Sequence, residues 1–340
     1  MPRLRRSDCA APGIARRGRG RGFEYLDSGG ERVDDPETLE RIRELAIPPA
    51  WRDVWICLDP LGHLQATGID AAGRKQYRYH DLWRTRRDRA KFHSMTDFGR
   101  ALPGLRRRVR RHLRADADLT ERRVLACATR LLDLGFFRIG SEDYAANNES
   151  YGLATMLKRH VTVERDEVVF DYPAKSGQRR VHGIADDDVR EVVAALKRRR
   201  GGGPELLAHR DGRGRWVDVR SEDINGYVKR VTSHDFSAKD FRTWNATVLA
   251  AVAVAGDPRE PRSASAHRRI VASAVKTVAA YLGNTPAVAR ASYIDPRVFD
   301  RLRSGWTIAG TLAEVGEPDL GDPAKRTRIE AAVLDLLEGE

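Results

Sequence analysis

The apolar positions near the start of the chain follow strand spacing in some segments and helix spacing in one. Residues 39–46 repeat apolar side chains three or four apart, and the Asp35-Pro36 pair before them is typical of a helix start. Apolar runs bounded by turn-forming residues predict strands at residues 24–26, 54–58 and 63–67. The pattern therefore predicts a small sheet with one helix that ends near residue 85.

Downstream of about residue 96 the apolar pattern becomes mostly helical. β-branched and aromatic residues between 161 and 172 interrupt it and favour strands. Apolar-periodic segments predict helices at about residues 120–132, 187–200, 221–231, 238–255, 265–282 and 323–337. We therefore expect an α+β protein with a small β-rich N-terminal domain and a larger, mainly α domain.

Composition adds a third segment to this organisation. Residues 1–22 are rich in Arg and Gly and poor in apolar side chains, which predicts a flexible basic tail. Residues 23–90 then form the predicted β-rich domain, and residues 91–340 the mainly α domain. A junction near residues 85–95 would let two such domains part and close again.

Charge points to a polyanionic partner. The chain has 340 residues with 61 Lys and Arg against 49 Asp and Glu, a formal net charge of +12. An excess of this size favours nucleic acid or an acidic membrane face. The strongest local run, Arg106–Arg111, is expected to contact phosphates or simply to be solvated.

Cysteine spacing and hydropathy indicate which cellular compartment the protein occupies. The three cysteines, Cys9, Cys57 and Cys127, are far apart and form no C-x-x-C pair, so we predict neither a zinc site nor a disulfide framework. No apolar stretch has the length of a signal peptide or a membrane helix. We expect a reduced, cytoplasmic protein that acts at the nucleoid, without membrane association.

Five stretches of the chain, in a fixed order, carry the chemistry. They are GHLQATGIDAAGRKQYRYHDLW, FFRIGSEDYAANNESYGLATM, YPAKSGQ, SAKDFRTWNAT and LGNTPAVARASYIDP. Together they closely resemble the poxvirus-like type IB DNA topoisomerases found in many bacteria, over roughly residues 40–300. Any single motif is short, but five in order are specific. The resemblance implies a catalytic domain of the tyrosine recombinase and type IB topoisomerase kind.

The resemblance also implies five active-site residues. They are Arg138 in FRIGSE, Lys175 in YPAKSGQ, Arg242 in KDFRTW, Asn284 in LGNTP and Tyr293 in ASYIDP. The viral enzymes have a histidine at the Asn284 position, so a general base there is not expected in this chain. Taken one at a time, these residues are equally compatible with structural roles; matched motifs favour the catalytic reading.

Each implied role agrees with the chemistry of its side chain. The two arginines can pair with non-bridging phosphate oxygens, and a lysine can hand a proton to the leaving 5′-oxygen. The tyrosine is the implied nucleophile that holds the 3′-phosphate. What deprotonates it is left open between water and the positive field around it. Clustered carboxylates are not evident in the sequence, so we expect a reaction without metal or other cofactor.

A second set of residues is expected to contact DNA. The stretch RKQYRYH combines cationic donors, an amide and two aromatic rings, which suits base and phosphate contacts in a duplex groove. Its members are Arg74, Lys75, Gln76, Tyr77, Arg78 and Tyr79. On a strand, Gln76 and Arg78 would share one face and the tyrosines the other. Tyr144 matches a further DNA contact of the family.

The expected function is ATP-independent and metal-independent relaxation of positively and negatively supercoiled double-stranded DNA by a monomer that clamps the duplex. Two alternatives stay open. A tyrosine recombinase shares the chemistry, although such enzymes typically have a His-x-x-Arg box where this chain has Lys239-Asp240-Phe241-Arg242. A non-catalytic DNA-binding protein would form no covalent protein–DNA adduct, which distinguishes it from both enzymes.

Overall fold

A computed structural model describes residues 2–115, 117–140, 142, 149–257 and 263–339 of the chain. The strands are β1 (Ile14–Arg19), β2 (Gly22–Leu26), β3 (Arg52–Ile56), β4 (Leu64–Ile69), β5 (Lys75–Tyr79), β6 (Val161–Val163), β7 (Val168–Pro173), β8 (Arg179–Ile184), β9 (Ala208–Arg210) and β10 (Trp216–Asp218). The helices are α1 (Pro36–Glu44), α2 (Asp81–Ala115), α3 (Glu121–Leu134), α4 (Asp187–Arg198), α5 (Ser221–Thr232), α6 (Ala238–Ala255), α7 (Ala264–Leu282), α8 (Pro286–Ser292), α9 (Arg297–Arg303), α10 (Ala309–Val315) and α11 (Pro323–Glu338). The predicted α+β class is confirmed.

The chain divides into two compact units, Met1–Lys91 and Phe92–Glu340. The first is an antiparallel five-stranded sheet in the order β2-β1-β3-β4-β5, with α1 packed against it. The predicted helix start is confirmed, because the Asp35 side chain accepts a hydrogen bond from the Thr38 amide. The core of this unit consists of small and branched apolar side chains: Ile14, Ile42, Val54, Ile56 and Ala66.

The structure corrects the flexible tail predicted for residues 1–22. Strand β1 lies inside that segment and pairs with both β2 and β3. The Arg16 guanidinium donates to the carbonyl oxygens of Pro48 and Trp51, at 3.1 and 2.6 Å, and Ile14 is only 3% exposed. These partners are more than 30 residues away, so the local Arg and Gly content concealed a strand.

Helix α2 crosses the boundary between the units and has 35 residues. An apolar stripe begins at residue 92, after the boundary, and repeats every three or four positions. Its buried members are Phe92, Met95, Phe98, Leu102, Leu105, Val109 and Leu113. The C-terminal part of α2 is therefore a core helix of the second unit.

The second unit is mainly helical and encloses two small sheets. Strands β6, β7 and β8 form an antiparallel sheet, and β9 and β10 form a hairpin. The strand prediction for residues 161–172 is confirmed by β6 and β7, whereas β8 was missed because polar residues alternate along it. Trp244 on α6 is fully buried at the centre of the helical core.

A buried network of ion pairs joins α2, α3 and α11. Asp133, 2% exposed, accepts hydrogen bonds from Arg106, Arg130 and Arg326, at 2.8 to 2.9 Å. Glu330 binds Arg106 and Arg326 in turn. Burial opposes ionisation of Asp133, but the three guanidinium groups outweigh it and hold the pKa of Asp133 far below its usual range. Arg106, expected to contact phosphate or solvent, is thus part of the core.

Removing the centre of this network should strongly destabilise the fold. Asp133→Ala leaves three guanidinium charges without their shared carboxylate, so we expect a loss of about 3–5 kcal/mol in the free energy of unfolding. Urea titration followed by circular dichroism measures it. The control is Asp97→Ala, whose exposed ion pair with Arg100 should be worth at most about 1 kcal/mol. Similar losses in both variants would contradict a structural role for the network.

Candidate functional site

Four residues from distant parts of the sequence line one cavity of about 240 Å³ in the second unit. They are Arg138, Lys175, Arg242 and Tyr293. Lys239 lines the same cavity, and none of the described lining residues is acidic. Four of the five residues that the resemblance singled out thus line one cavity in a strongly positive environment, and the fifth, Asn284, is hydrogen-bonded to Arg138.

Arg242 is the buried member of this group. It lies near the N-terminus of α6 and is 4% exposed. Its guanidinium donates to the carbonyl oxygens of Phe136 and Leu282, the second at 3.0 Å. The guanidinium carbon is 5.3 Å from the ring centroid of Tyr293. Burial lowers the pKa of Arg242 to about 10, partly offset by Tyr293, so the side chain still carries its charge at neutral pH.

Arg138 and Asn284 form a hydrogen-bonded pair. The guanidinium of Arg138 donates to Oδ1 of Asn284 at 2.6 Å and to the carbonyl oxygen of Gly283 at 3.0 Å. Gly283 ends α7 in the left-handed conformation, with φ of 62°, which turns the chain toward Arg138. The Nδ2 of Asn284 is buried and has no hydrogen-bond partner among the described residues. The Asn284 side chain therefore orients Arg138 through its oxygen and carries an N–H donor that no described residue uses.

The segment that carries Arg138 is held by a close backbone approach. The amide of Leu153 donates to the carbonyl oxygen of Arg138 at 2.8 Å. A methyl group at Gly152 would lie 2.4 Å from the backbone nitrogen of Gly140 and 2.7 Å from the carbonyl oxygen of Arg138. Glycine at position 152 is therefore needed for the extended segment after α3 to pack in this way.

Lys175 lies in the turn between β7 and β8. A single 3-10 turn, Lys175–Gly177, joins the two strands, and Gly177 has a positive φ of 71°. The Ala174 amide closes the turn by donating to the carbonyl oxygen of Gln178 at 2.8 Å. The predicted location of Lys175, in a turn after the strands, is confirmed, and its side chain is exposed.

Tyr293 forms the C-terminal cap of the short helix α8, and its amide donates to the carbonyl oxygen of Ala289 at 3.0 Å. Thr247 on α6 contacts the backbone on both sides of Ile294. Its hydroxyl accepts from the Asp295 amide at 3.1 Å and lies 3.4 Å from the carbonyl oxygen of Tyr293. Asp295 is fully buried and paired with Arg297. The nucleophile candidate thus has a fixed backbone. Thr247 ends the SAKDFRTWNAT stretch, but the sequence indicated no role for it.

Sequence reasoning also missed three residues beside the arginines. Arg180 on β8 donates to the carbonyl oxygens of Ala280 and Tyr281 in the last turn of α7, and its guanidinium lies 3.1 Å from Nε2 of His182. Burial, together with Arg180 and Arg242, lowers the pKa of His182 to about 4. Tyr172 is buried, and burial raises its pKa although Arg180, Arg242 and Arg138 oppose this. Tyr172 is the first residue of the YPAKSGQ stretch but was given no role, and Arg180 and His182 lie just beyond that stretch.

The cavity has the donors that a tetrahedral oxyanion requires. Guanidinium groups bind phosphate oxygens with two parallel hydrogen bonds, and a nearby ammonium adds a mobile donor. Such a set stabilises negative charge that increases on an oxyanion during reaction. A phenol lies against the same cations, so nucleophilic attack by Tyr293 on a bound phosphodiester is chemically reasonable.

The strand expected to contact DNA presents an aromatic face. Tyr77 and Tyr79 on β5 are 45% and 37% exposed, and their rings stack with centroids 6.1 Å apart. Lys75 is exposed on the same face. The alternation predicted for this strand is therefore present, with the two tyrosines directed to the surface.

The opposite face of β5 binds other groups of the first unit. The Gln76 side chain donates to Asp70 at 2.9 Å, and Arg78 donates to the carbonyl oxygen of Ala46 at 2.7 Å. Arg74, just before the strand, is also paired with Asp70, at 2.8 Å. Base reading by Gln76 or Arg78, which the sequence favoured, would require these hydrogen bonds to be exchanged.

Three further predictions concern other parts of the chain. Tyr144 lies outside the described residues. Within the described ranges, no group of three or more His, Cys, Asp or Glu side chains could hold a metal ion. No helix within them is long and apolar enough to cross a membrane.

Comparison with known proteins gives two family matches and two viral relatives. Residues 80–305 match the family described as eukaryotic DNA topoisomerase I, catalytic core, and residues 22–70 match the bacterial DNA topoisomerase IB N-terminal domain. DNA topoisomerase 1B of Acanthamoeba polyphaga mimivirus is 30% identical over 279 residues, covering 80% of this chain and 81% of the relative. DNA topoisomerase 1 of Rabbit fibroma virus (strain Kasza) is 20% identical over 310 residues, covering 87% and 94%.

The low pKa of His182 predicts a pH dependence of stability. The folded protein binds the proton of His182 only near pH 4, whereas an unfolded histidine binds it near pH 6.5. Stability should therefore fall as the pH drops from 6.5 to 4, and His182→Gln should remove about 1–3 kcal/mol of this fall. Urea unfolding at pH 7 and pH 4.5 measures the difference. His234→Gln, at an exposed position, is the matched substitution, and an equal effect of both would refute the assignment.

Proposed function

Because the chain belongs to the type IB DNA topoisomerases, we propose that it nicks one strand of duplex DNA through Tyr293, lets the helix swivel and reseals the strand. The observation that carries this proposal is the convergence of Arg138, Lys175, Arg242 and Tyr293 on one cavity without acidic lining residues. A phosphodiester is the anion that this set of donors suits best.

In the proposed cleavage step, the Tyr293 oxygen attacks the scissile phosphorus. A bond forms between the phenolic oxygen and phosphorus, and the bond from phosphorus to the 5′-oxygen breaks. The phenolic proton goes to water, and Lys175 supplies a proton to the departing 5′-oxygen. The products are a 3′-phosphotyrosine and a free 5′-hydroxyl, and the reverse sequence of steps reseals the strand.

Arg138 and Arg242 are proposed to bind the two non-bridging oxygens. Negative charge increases on these oxygens in the transition state, so cations already in place lower the barrier. The carbonyl bonds of Arg242 support this role, because they hold the guanidinium before the phosphate arrives. Its position against the Tyr293 ring, at 5.3 Å, would also favour the phenolate that attacks.

Asn284 is proposed to act through Arg138 and through its own amide. Its Oδ1 already accepts from Arg138, and its Nδ2 has no partner in the described part of the chain. An asparagine amide donates a hydrogen bond but neither carries charge nor transfers a proton. Its contribution would therefore be to orient Arg138 and to support oxygen binding, without acid–base chemistry.

The covalent intermediate also explains how the reaction would run without ATP or metal. The phosphotyrosine bond conserves the free energy of the broken phosphodiester, so resealing needs no external energy. A nicked duplex swivels under torque of either sign, so both positive and negative supercoils would relax. We further propose that a monomer encloses the duplex at the nucleoid. Exposed Lys75, Tyr77 and Tyr79, with Arg74, Gln76, Arg78 and Tyr144, would contribute DNA contacts.

Loss of the phenolic oxygen should abolish the reaction. Tyr293→Phe should give no relaxation and no covalent adduct, with DNA binding nearly unchanged, because only the nucleophilic atom is removed. The assay is relaxation of plasmids supercoiled in either sense, in EDTA without ATP, followed by denaturing gels for the adduct. Exposed Tyr281→Phe is the matched control and should remain active. A covalent adduct formed by the Tyr293→Phe variant would place the nucleophile elsewhere, and strict dependence on magnesium would indicate another reaction class.

The proposed acid, Lys175, can be tested through the leaving group. Lys175→Ala should slow cleavage by about 10²–10⁴, because the 5′-alkoxide is a poor leaving group without a proton. A substrate with sulfur in place of the bridging 5′-oxygen releases a thiolate that needs none, so the variant should then cleave nearly as fast as the unmodified protein. Single-turnover cleavage measures both rates.

The matched controls for this test are Arg138→Ala and Arg242→Ala. Their proposed task is to stabilise charge on the non-bridging oxygens, which sulfur at the bridging position does not change. Neither variant should therefore regain its rate on the sulfur substrate. Equal rescue of all three variants, or no rescue of Lys175→Ala, would rule out the proposed division of roles.

A further inference from the structure

A second basic cavity, of about 680 Å³, lies among helices α7, α8 and α9. Among the described residues, it shares none of its lining with the cavity that contains Tyr293. Three of its described lining residues are arginines, one from each helix: Arg268, Arg290 and Arg303. All three are exposed, so the positive charge stands at the rim of the cavity.

Two buried apolar side chains contribute to the lining of this cavity. Val271 and Phe299 line it and are 4% and 5% exposed. The Arg290 guanidinium carbon lies 5.8 Å from the ring centroid of Phe299. This stacking orients one arginine of the rim before any ligand arrives, which lowers the entropic cost of binding.

The charge of the rim is poorly compensated within the protein. In the ranges that the structure describes, neither Arg268 nor Arg290 has an ion pair, and Arg303 meets Asp300 at 3.4 Å in an exposed, weak contact. The first turn of α7 opens onto the cavity and carries no acidic side chain. The positive end of that helix dipole therefore adds to the arginines.

His267 adds an imidazole to the residues around this cavity. It lines the cavity, and its Nε2 is buried with no hydrogen-bond partner in the described part of the chain. Buried polar atoms without a partner are uncommon, because each costs free energy that a partner would recover.

We infer that the cavity among α7, α8 and α9 binds a phosphate group. Planar guanidinium forks from three helices and a helix N-terminus suit the tetrahedral oxygens of a phosphate. The phosphate can belong to the backbone of bound duplex DNA or to a small free ligand. The first source rests on the proposed function and is the one that a DNA-acting enzyme favours; the second does not depend on it.

The first arm of the test measures duplex binding by fluorescence anisotropy at several salt concentrations. Arg268→Gln/Arg290→Gln is compared with Arg269→Gln/Lys276→Gln, which removes the same charge from exposed positions of α7 outside the cavity. If a duplex phosphate occupies the site, the slope of log K against log salt should fall by about 0.9 more in the cavity variant than in the control.

The second arm titrates inorganic pyrophosphate and follows the melting temperature. If the ligand is free, pyrophosphate should raise the melting temperature saturably in the unmodified protein and in the control variant, but not in the cavity variant. The melting temperature without ligand checks that each variant is folded, and single Arg268→Gln replaces the double variant if that one is not.

Either response supports the site and identifies the source of its phosphate. Equal salt slopes in the two variants, combined with no saturable effect of pyrophosphate, would overturn the inference. Plasmid relaxation by the unmodified protein separates this result from the proposed function. If relaxation occurs while both arms fail, only the second site is refuted; if relaxation is absent, the failure lies with the proposed function.

Discussion

The buried charge of Arg242 is the constraint on which the rest of the candidate site depends. No carboxylate in the described residues pairs with it; instead, the carbonyl oxygens of Phe136 and Leu282 accept its hydrogen bonds. A buried guanidinium without such partners would be costly. One of these carbonyls lies two residues before Arg138 and the other two residues before Asn284. The bonds that stabilise the charge therefore also determine where the neighbouring functional groups lie.

Carboxylates are placed elsewhere in the same unit. Asp133 and Glu330 gather arginines into a neutralised network in the core, whereas the cavity that contains Arg242 has no acidic residue among its described lining. A cation already bound to a carboxylate would have to break that pair before it could bind phosphate. Carbonyl partners stabilise a guanidinium without cancelling its net charge. Because the carboxylates lie apart from this cavity, an arginine-rich protein keeps some guanidinium groups available to bind an anion.

The sequence correctly predicted the features that depend on neighbouring residues or on a recognisable motif. Helix α6 was predicted with the residues observed, because capping residues and apolar spacing are local properties. The prediction of a flexible tail at residues 1–22 was wrong, because Arg16 binds carbonyl oxygens more than 30 residues away. Arg106 was misread for the same reason, since its partner Glu330 is 224 residues distant. Motifs identified which residues converge, but the supporting contacts of Thr247 and His182 depend on tertiary packing that no local pattern encodes.

The position of Tyr293 indicates how a nucleophile can be both fixed and accessible. It follows a helix of only seven residues, and a helix of that length has little stability of its own. Its conformation must therefore come from tertiary contacts: Thr247 holds the following backbone, and Arg290 in the last turn stacks on Phe299 of the next helix. The backbone is thus held from two sides, while the phenol stays half-buried against Arg242. Restraining the main chain and leaving the ring open to the cavity lets the oxygen meet a phosphate without refolding the segment.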